Sequence, residues 1–279
     1  MITGLSTAGL GQVKNVEELI NLAEENGFGT IETSGSALRQ FIAEKGLETV
    51  KNILKEKNIT IGAMGLAVEW RASEETFQDG LAALVEDAKT AQELGCTAFG
   101  TFVLPATDDK AAHFMAIATK RIRLCAQILK AYGIKLGLEF VGPHHLRTTW
   151  KNPFIWTMDE MLDWIDAIGE PNVGLLLDSY HWYTTGGTYE DLRALDPSQI
   201  TYVHLNDAKD VPVEDVLDND RLYPGEGVID LVAFLKALNE IGYTGVITQE
   251  VLTPEEPKES AADLAKKSGD AFKRLFKQL

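Results

Sequence analysis

Short apolar runs alternate with longer amphipathic segments along the whole chain, and the alternation is regular enough to parse into units. ITGLSTA precedes VEELINLAEENG, and GTIETSG precedes a helical stretch that ends ETVKNILKEKN. ITIGAMGLAV leads into TFQDGLAALVEDAKTAQELG, CTAFGTFVLP into AAHFMAIATKRIRLCAQILKAYG, and IKLGLEFVGP into TMDEMLDWIDAIG. NVGLLLDSYH precedes TYEDLRALD, ITYVHLNDA precedes a loop and LVAFLKALNEIG, and VITQEVL precedes the last segment, AADLAKKSGDAFKRLFKQL. The longer segments carry apolar residues at i, i+3, i+4 and i+7, the spacing of a helix with one buried face. The short runs are continuously apolar, as expected for strands of a parallel sheet covered on both faces. Gly27, Gly95, Gly133, Gly169 and Gly242 fall near the ends of the helical segments, where a left-handed cap favours glycine.

Eight strand–helix units in 279 residues fit a single α/β domain, a (β/α)8 TIM barrel spanning residues 1–279. A doubly wound sheet is the competing α/β architecture. Its Gly-x-Gly-x-x-Gly fingerprint is missing after the first strand, where GLGQ at Gly9 to Gln12 is only a poor match.

Composition changes this picture in three respects. With 45% hydrophobic residues and a mean hydropathy of -0.08, the chain can bury a large core. No segment approaches the roughly 18 apolar residues of a membrane span, and no basic region followed by an apolar run opens the chain, so a cytoplasmic protein without a membrane partner is expected. Cys96 and Cys125 lack metal-knuckle spacing and read as reduced core thiols. The formal net charge of -16, with no Lys/Arg cluster, argues against nucleic-acid partners. A small neutral or keto-type substrate, or a bound cation that locally reverses the field, is compatible with it.

Chemistry in such a barrel gathers at the carboxyl ends of the strands, where the following loops converge. Reading each apolar run to its end places Glu139 on strand five, Asp178 on strand six, His204 on strand seven and Glu250 on strand eight. Singly, each has an ordinary structural use: Glu139 bonding loop amides, Asp178 capping the next segment, His204 satisfied in the core, Glu250 paired with a lysine. Together on one rim, three carboxylates repel one another unless a cation or a proton intervenes. An oxygen-rich set with a single nitrogen suits Mn2+, Mg2+, Co2+ or Zn2+.

Further candidates border this set. His181 lies three residues past Asp178, within reach of a substrate oxygen, while Arg221 and Lys209 are sources of positive charge at the mouth. Glu32 ends the second strand; Trp70, Trp182 and Phe140 form either an apolar wall or plain core; His144 and His145 follow Pro143 in a loop. No glycine-rich phosphate cradle follows strands seven and eight, so a phosphorylated substrate is not expected; PGEG at Pro224 to Gly227 is the one stretch that speaks against this. Neither a Gly-x-Ser-x-Gly elbow nor a Walker loop is present.

LEFVG around Glu139, NVGLLLDSYH around Asp178, VHLND around His204, DRLYPGEGVID around Arg221 and the strand-eight Glu250 carry a family resemblance. They resemble the xylose-isomerase-like barrels of the sugar phosphate isomerase/epimerase superfamily, most closely the inosose isomerases and their relatives. The resemblance covers most of the second half and, through the alternation, the first half more loosely. It implies one divalent ion, Mn2+ foremost, held by Glu139, Asp178, His204 and Glu250. It also implies that Glu139 and Glu250 serve as acid and base, moving a proton on and off the carbon beside the carbonyl of an inosose or similar keto-sugar through an enediolate. His181 and Arg221 would then bind the substrate. Dimers or tetramers are common in the group, so a homo-oligomer is implied.

Three other outcomes fit the same barrel. A dehydratase of the inosose or 3-dehydroshikimate type shares the first step and then expels a β-hydroxyl. An apurinic-site endonuclease needs more histidine ligands and a basic groove, against five histidines and a charge of -16 here. A non-catalytic sugar-binding barrel would have no need of two glutamates.

Overall fold

The computed structural model describes residues 1–279. Each apolar run forms one strand of a closed, eight-stranded parallel barrel. The strands are β1 (Ile2–Leu5), β2 (Thr30–Ser34), β3 (Thr60–Gly65), β4 (Ala98–Val103), β5 (Lys135–Phe140), β6 (Val173–Asp178), β7 (Ile200–Leu205) and β8 (Val246–Gln249). Neighbours in the barrel are neighbours in the chain, and β8 closes onto β1 with Ile2 opposite Val246. The register slips between Ile31 and Glu32 and again between Leu175 and Leu176, two irregularities that re-aim the residues following them.

The amphipathic segments wrap the barrel as α1 (Val16–Asn26), α2 (Gly35–Lys45), α3 (Leu47–Glu56), α4 (Glu74–Leu94), α5 (Ala111–Lys130), α6 (His144–Arg147), α7 (Met158–Ile168), α8 (Ser179–Thr184), α9 (Tyr189–Arg193), α10 (Leu231–Glu240) and α11 (Ala261–Phe276). Polar residues start them: Asn15, Ser73 and Ser260 each accept a first-turn amide of α1, α4 and α11, and Thr157 with Glu160 forms a capping box on α7. All five glycines expected to end helices have positive φ. The single helical stretch expected after β2 is two helices, because Gly46 at φ 83° breaks it between α2 and α3. TYEDLRALD makes only the five-residue α9, since Asp196 precedes Pro197 and a residue before proline is turned away from the helical region.

Two apolar layers result. A core of 66 buried residues fills the space between strands and helices, and a small second cluster of Ala63, Ala98, Leu176 and Tyr202 fills the barrel itself. Tyr202 is the plug of that inner layer. Its ring passes Gly100 of β4 so closely that a Cβ there would collide with the Tyr202 hydroxyl, and would come within 2.8 Å of Leu176 Cδ1. The hydroxyl reaches across the barrel to Glu32 Oε1 at 3.3 Å. Cys96 and Cys125 are free and buried, and burial pushes both thiols up to about 12. No helix is long and apolar enough to cross a membrane.

These packing relations predict two outcomes. Gly100→Ala is expected to destabilise the fold by about 1–3 kcal/mol in urea unfolding, the usual cost of overfilling a core, and Tyr202→Phe in the same chain should recover part of it. Equal losses in both backgrounds would show that the Tyr202 hydroxyl is not the obstacle. The two thiols should resist an aromatic disulfide reagent at pH 8 until the protein is unfolded, because a buried thiol with a raised pKa supplies almost no thiolate.

Candidate metal centre

Asp178 ends β6, Glu139 and His204 are the next-to-last residues of β5 and β7, and Glu250 is the first residue past β8, where its N–H still donates to Leu205 O at 3.2 Å. Register does the assembling. Asp178 lies opposite His204 on one side, and Thr248, two residues before Glu250, lies opposite it on the other. Side chains two apart on a strand share a face, so all four turn into the mouth. One donor atom from each lies within 4.8 Å of all the others.

His204 is the centre of this group. Its Nδ1 is 3.2 Å from Glu139 Oε1, 3.4 Å from Glu250 Oε2 and 3.9 Å from Asp178 Oδ2. Its Nε2, on the far side of the ring, is 2.9 Å from Glu32 Oε2. A neutral imidazole has one N–H and one lone pair, and a carboxylate only accepts. With Glu32 accepting from Nε2–H, the Nδ1 lone pair faces three carboxylates. That arrangement requires a positive charge at Nδ1, either a proton or a metal ion. The donor set of one imidazole nitrogen and three carboxylates, with no lysine among them, fits a divalent cation.

Around it stands a shell of donors. Asp178 is wholly buried and accepts from Tyr180 N at 2.6 Å, from Asn206 Nδ2 at 3.0 and 3.1 Å, and from Arg221 Nη1 at 2.8 Å. It therefore caps α8 and belongs to the cluster at once. Arg221 Nη1 also reaches Glu250 Oε2 at 2.8 Å, its Nη2 reaches Asp218 Oδ1 at 2.9 Å, and its Nε donates to Asp218 O. The guanidinium is thus the internal counter-ion of two cluster carboxylates. His181 Nδ1 lies 3.3 Å from Gly142 N, and its Nε2 lies 3.4 Å from Arg221 Nη2 and 3.9 Å from Asp218 Oδ1, so both ring nitrogens are engaged by the structure around the cluster.

The PGEG stretch holds an anion already. Asp207, with no exposed surface, accepts from Gly225 N and Gly227 N through Oδ2 and from Ala208 N and Ile229 N through Oδ1, each at 2.9 Å. The amides that would cradle a phosphate are occupied by this carboxylate, which pins the loop carrying Arg221.

Other residues singled out in the sequence have ordinary places. Lys209 pairs with Asp220 near the surface at 2.6 Å. Trp70 donates to Thr101 Oγ1, Trp182 donates to Thr188 O and packs on Phe234, and Phe140 is core. His144 and His145 sit on α6, outside the cluster. Asn206, Tyr202, Asp207 and Asp218 are the site neighbours that strand-end reading passed over. Asn206 had a signal, since it lies two residues beyond His204 and continues the same inward face.

The charges pull one another apart. Burial pushes the Glu139 carboxyl up, against the bond from His204 that favours its charged form. Burial would also raise Glu250, but His204 and Arg221 outweigh it and hold this carboxyl well below the usual range. For His204, burial opposes the charge, yet Glu250 and Glu32 prevail and its pKa lies well above the ordinary value.

Known proteins place the fold. The family described as "Xylose isomerase-like TIM barrel" matches residues 20–275. The inosose isomerase of Bacillus velezensis is 28% identical over 259 residues, which cover 90% of this chain and 89% of that protein. A xylose isomerase domain protein from Alicyclobacillus acidocaldarius superposes with a TM-score of 0.92 at 32% identity, covering 100% of this chain and 99% of that one. The IOLI protein, solved with a binding zinc atom, shares the fold at a TM-score of 0.83 and 24% identity, with 99% of this chain and 98% of that one covered. With the family matched over most of its length and a relative of 32% identity aligned end to end, this chain belongs to the xylose isomerase-like TIM barrel family.

Proposed function

We propose that this protein is a divalent-metal-dependent isomerase or epimerase that moves a proton α to the carbonyl of an inosose or a similar keto-sugar. The observation that carries this reading is the convergence of Glu139, Asp178, His204 and Glu250 at the barrel mouth, with the two glutamates on opposite flanks. Strands β6 and β7, bearing Asp178 and His204, lie between β5 and β8 in the barrel, so Glu139 and Glu250 approach from either side. The similarity to an inosose isomerase over nine-tenths of the chain supports the substrate class.

Glu139, Asp178, His204 and Glu250 would hold the ion, with Mn2+ the proposed resident and Mg2+, Co2+ and Zn2+ accommodated by the same donors. When bound, it supplies Lewis-acid charge opposite the negative charge that builds up on the substrate oxygens. Glu139 and Glu250 act as the acid/base pair: one takes the proton from the carbon beside the carbonyl, and the other returns a proton from the opposite flank. Their environments push the two carboxyls in opposite directions, the pattern expected of an acid and a base working together. Arg221 pairs with Asp178 and helps hold Glu250 ionised, and His181 with Arg221 would meet a substrate oxygen at the mouth. The filled PGEG nest and the acidic mouth favour an uncharged small molecule over a phosphorylated one or a nucleic acid.

Carbon–hydrogen exchange tests this directly. In deuterated water with keto-inositols and free ketoses at saturating Mn2+, the wild type should wash the α-proton out of one substrate, while Glu139→Gln and Glu250→Gln should each slow exchange by about 10²–10⁴-fold. Loss of water from the product in place of isomerisation would assign the dehydratase outcome. Exchange that survives both substitutions would overturn the acid/base pair.

Proton linkage gives a second test. In the metal-free protein at pH 7 the raised pKa of His204 keeps it protonated, so an ion binding at Nδ1 must displace that proton. Metal affinity should therefore climb with pH, by about tenfold per unit for each proton released, until the folded-state pKa is passed. Calorimetry in buffers of different ionisation enthalpy counts those protons, and a count of zero at pH 7 would contradict a charged His204.

A further inference from the structure

Glu32 stands apart from the four donors, yet it makes the shortest contact to His204. Its Oε2 lies 2.9 Å from Nε2, whereas Glu139, Glu250 and Asp178 gather on Nδ1 at 3.2, 3.4 and 3.9 Å. The two nitrogens point in different directions, so Glu32 is not one of the converging donors. It is mostly buried, with 15% of its side chain exposed, and no lysine or arginine pairs with it; its ion-pair partner is His204. Its other oxygen is held by the Tyr202 hydroxyl at 3.3 Å. Tyr202 in turn is admitted by Gly100, whose missing side chain leaves room for the hydroxyl. Glu32 does not end the second strand, as its position in the sequence suggested, but sits in the middle of β2 just after the register slip between Ile31 and Glu32, with its carboxylate turned toward His204 of β7.

We propose that Glu32 is a positioning residue of the metal centre: by accepting from His204 Nε2–H, it fixes the imidazole tautomer and ring rotation that direct Nδ1 at Glu139, Asp178 and Glu250. The inference rests on the metal-binding reading of that cluster. A neutral imidazole otherwise divides between two tautomers and rotates about its Cβ–Cγ bond, and only one arrangement presents a lone pair to the mouth. A carboxylate behind a ligating histidine removes the alternatives and makes the imidazole a stronger donor; losing such a partner typically weakens metal binding by about 10–100-fold. Tyr202 performs the same service for Glu32 one step further out.

The test is metal affinity of the full-length protein without substrate, read by competition between a fluorescent chelator and the protein for Co2+ and Zn2+. Glu32→Ala should weaken both ions by about 10–100-fold. Glu32→Gln should stay much nearer the wild type, because its amide oxygen still accepts from Nε2–H, and Tyr202→Phe should show a smaller loss than Glu32→Ala. The visible spectrum of the Co2+ form should change in Glu32→Ala and be preserved in Glu32→Gln, a response that a mere brace for the fold would not produce. A measurement on the wild type needs no variant to fold: the long-range nitrogen–proton NMR pattern of His204 in the Zn2+ form should be that of an imidazole protonated on Nε2.

Glu32→Ala binding as tightly as wild type, Glu32→Gln failing as badly as Glu32→Ala, or an Nδ1-protonated His204 would each overturn the proposal while leaving the metal centre in place. A wild type that binds neither ion would overturn the centre itself and this inference with it.

Discussion

The constraint on which the rest of the structure depends is charge compensation at the barrel mouth. Glu139, Asp178 and Glu250 converge on one imidazole with their donor atoms within 4.8 Å, in a place where little water remains to screen them. Buried like charges of this kind persist only when each is answered by donors or by a cation. The fold answers Asp178 four times over, through Tyr180 N, both Asn206 contacts and Arg221, and it answers Glu250 through Arg221 and His204. Glu139 has only His204 as a close partner among these groups, and its carboxyl is the one pushed toward the protonated form. An ion at the Nδ1 side of His204 would complete what the side chains leave undone.

Much of the loop structure exists to put Arg221 in place. Its guanidinium is buried, stacked 4.8 Å from the Tyr180 ring, and its backbone N–H is tied to Leu252 O beyond β8. The stretch behind it is held by the Asp207 carboxylate, which gathers four backbone N–H groups. A barrel of this kind often uses glycine-rich turns near its last strands to hold a phosphate. Here the same backbone concavity holds part of the protein, and the turn becomes a strut for a counter-ion.

Below the mouth, the barrel interior is closed by Tyr202, Leu176, Ala98 and Ala63. The polar atom among these four side chains is the Tyr202 hydroxyl, and it is spent on Glu32. Gly100, Tyr202, Glu32 and His204 therefore form a continuous line from a missing side chain in β4 to the donor nitrogen at the centre of the cluster. Packing and chemistry meet there, since the space that accepts the tyrosine also decides where the carboxylate behind His204 can stand.

The sequence by itself determined the barrel and its rim. Apolar runs of strand length alternating with helical periodicity are a local property of the chain, and polar residues at the ends of four successive runs could be placed at one mouth once the fold was granted. Glu139, Asp178, His204 and Glu250 were legible for that reason, as were the glycines that end the helices. What only the tertiary structure decided was pairing across the barrel. That Glu32 stands behind His204 depends on a register slip in β2 and on the absence of a side chain at Gly100, neither of which leaves a periodic signature. That PGEG holds Asp207, and that Arg221 neutralises two carboxylates, depends on a loop folding back over strands distant in sequence. Periodicity reports which face a residue turns toward, because that is set by its own backbone; which partner waits on that face is set by how all eight strands close.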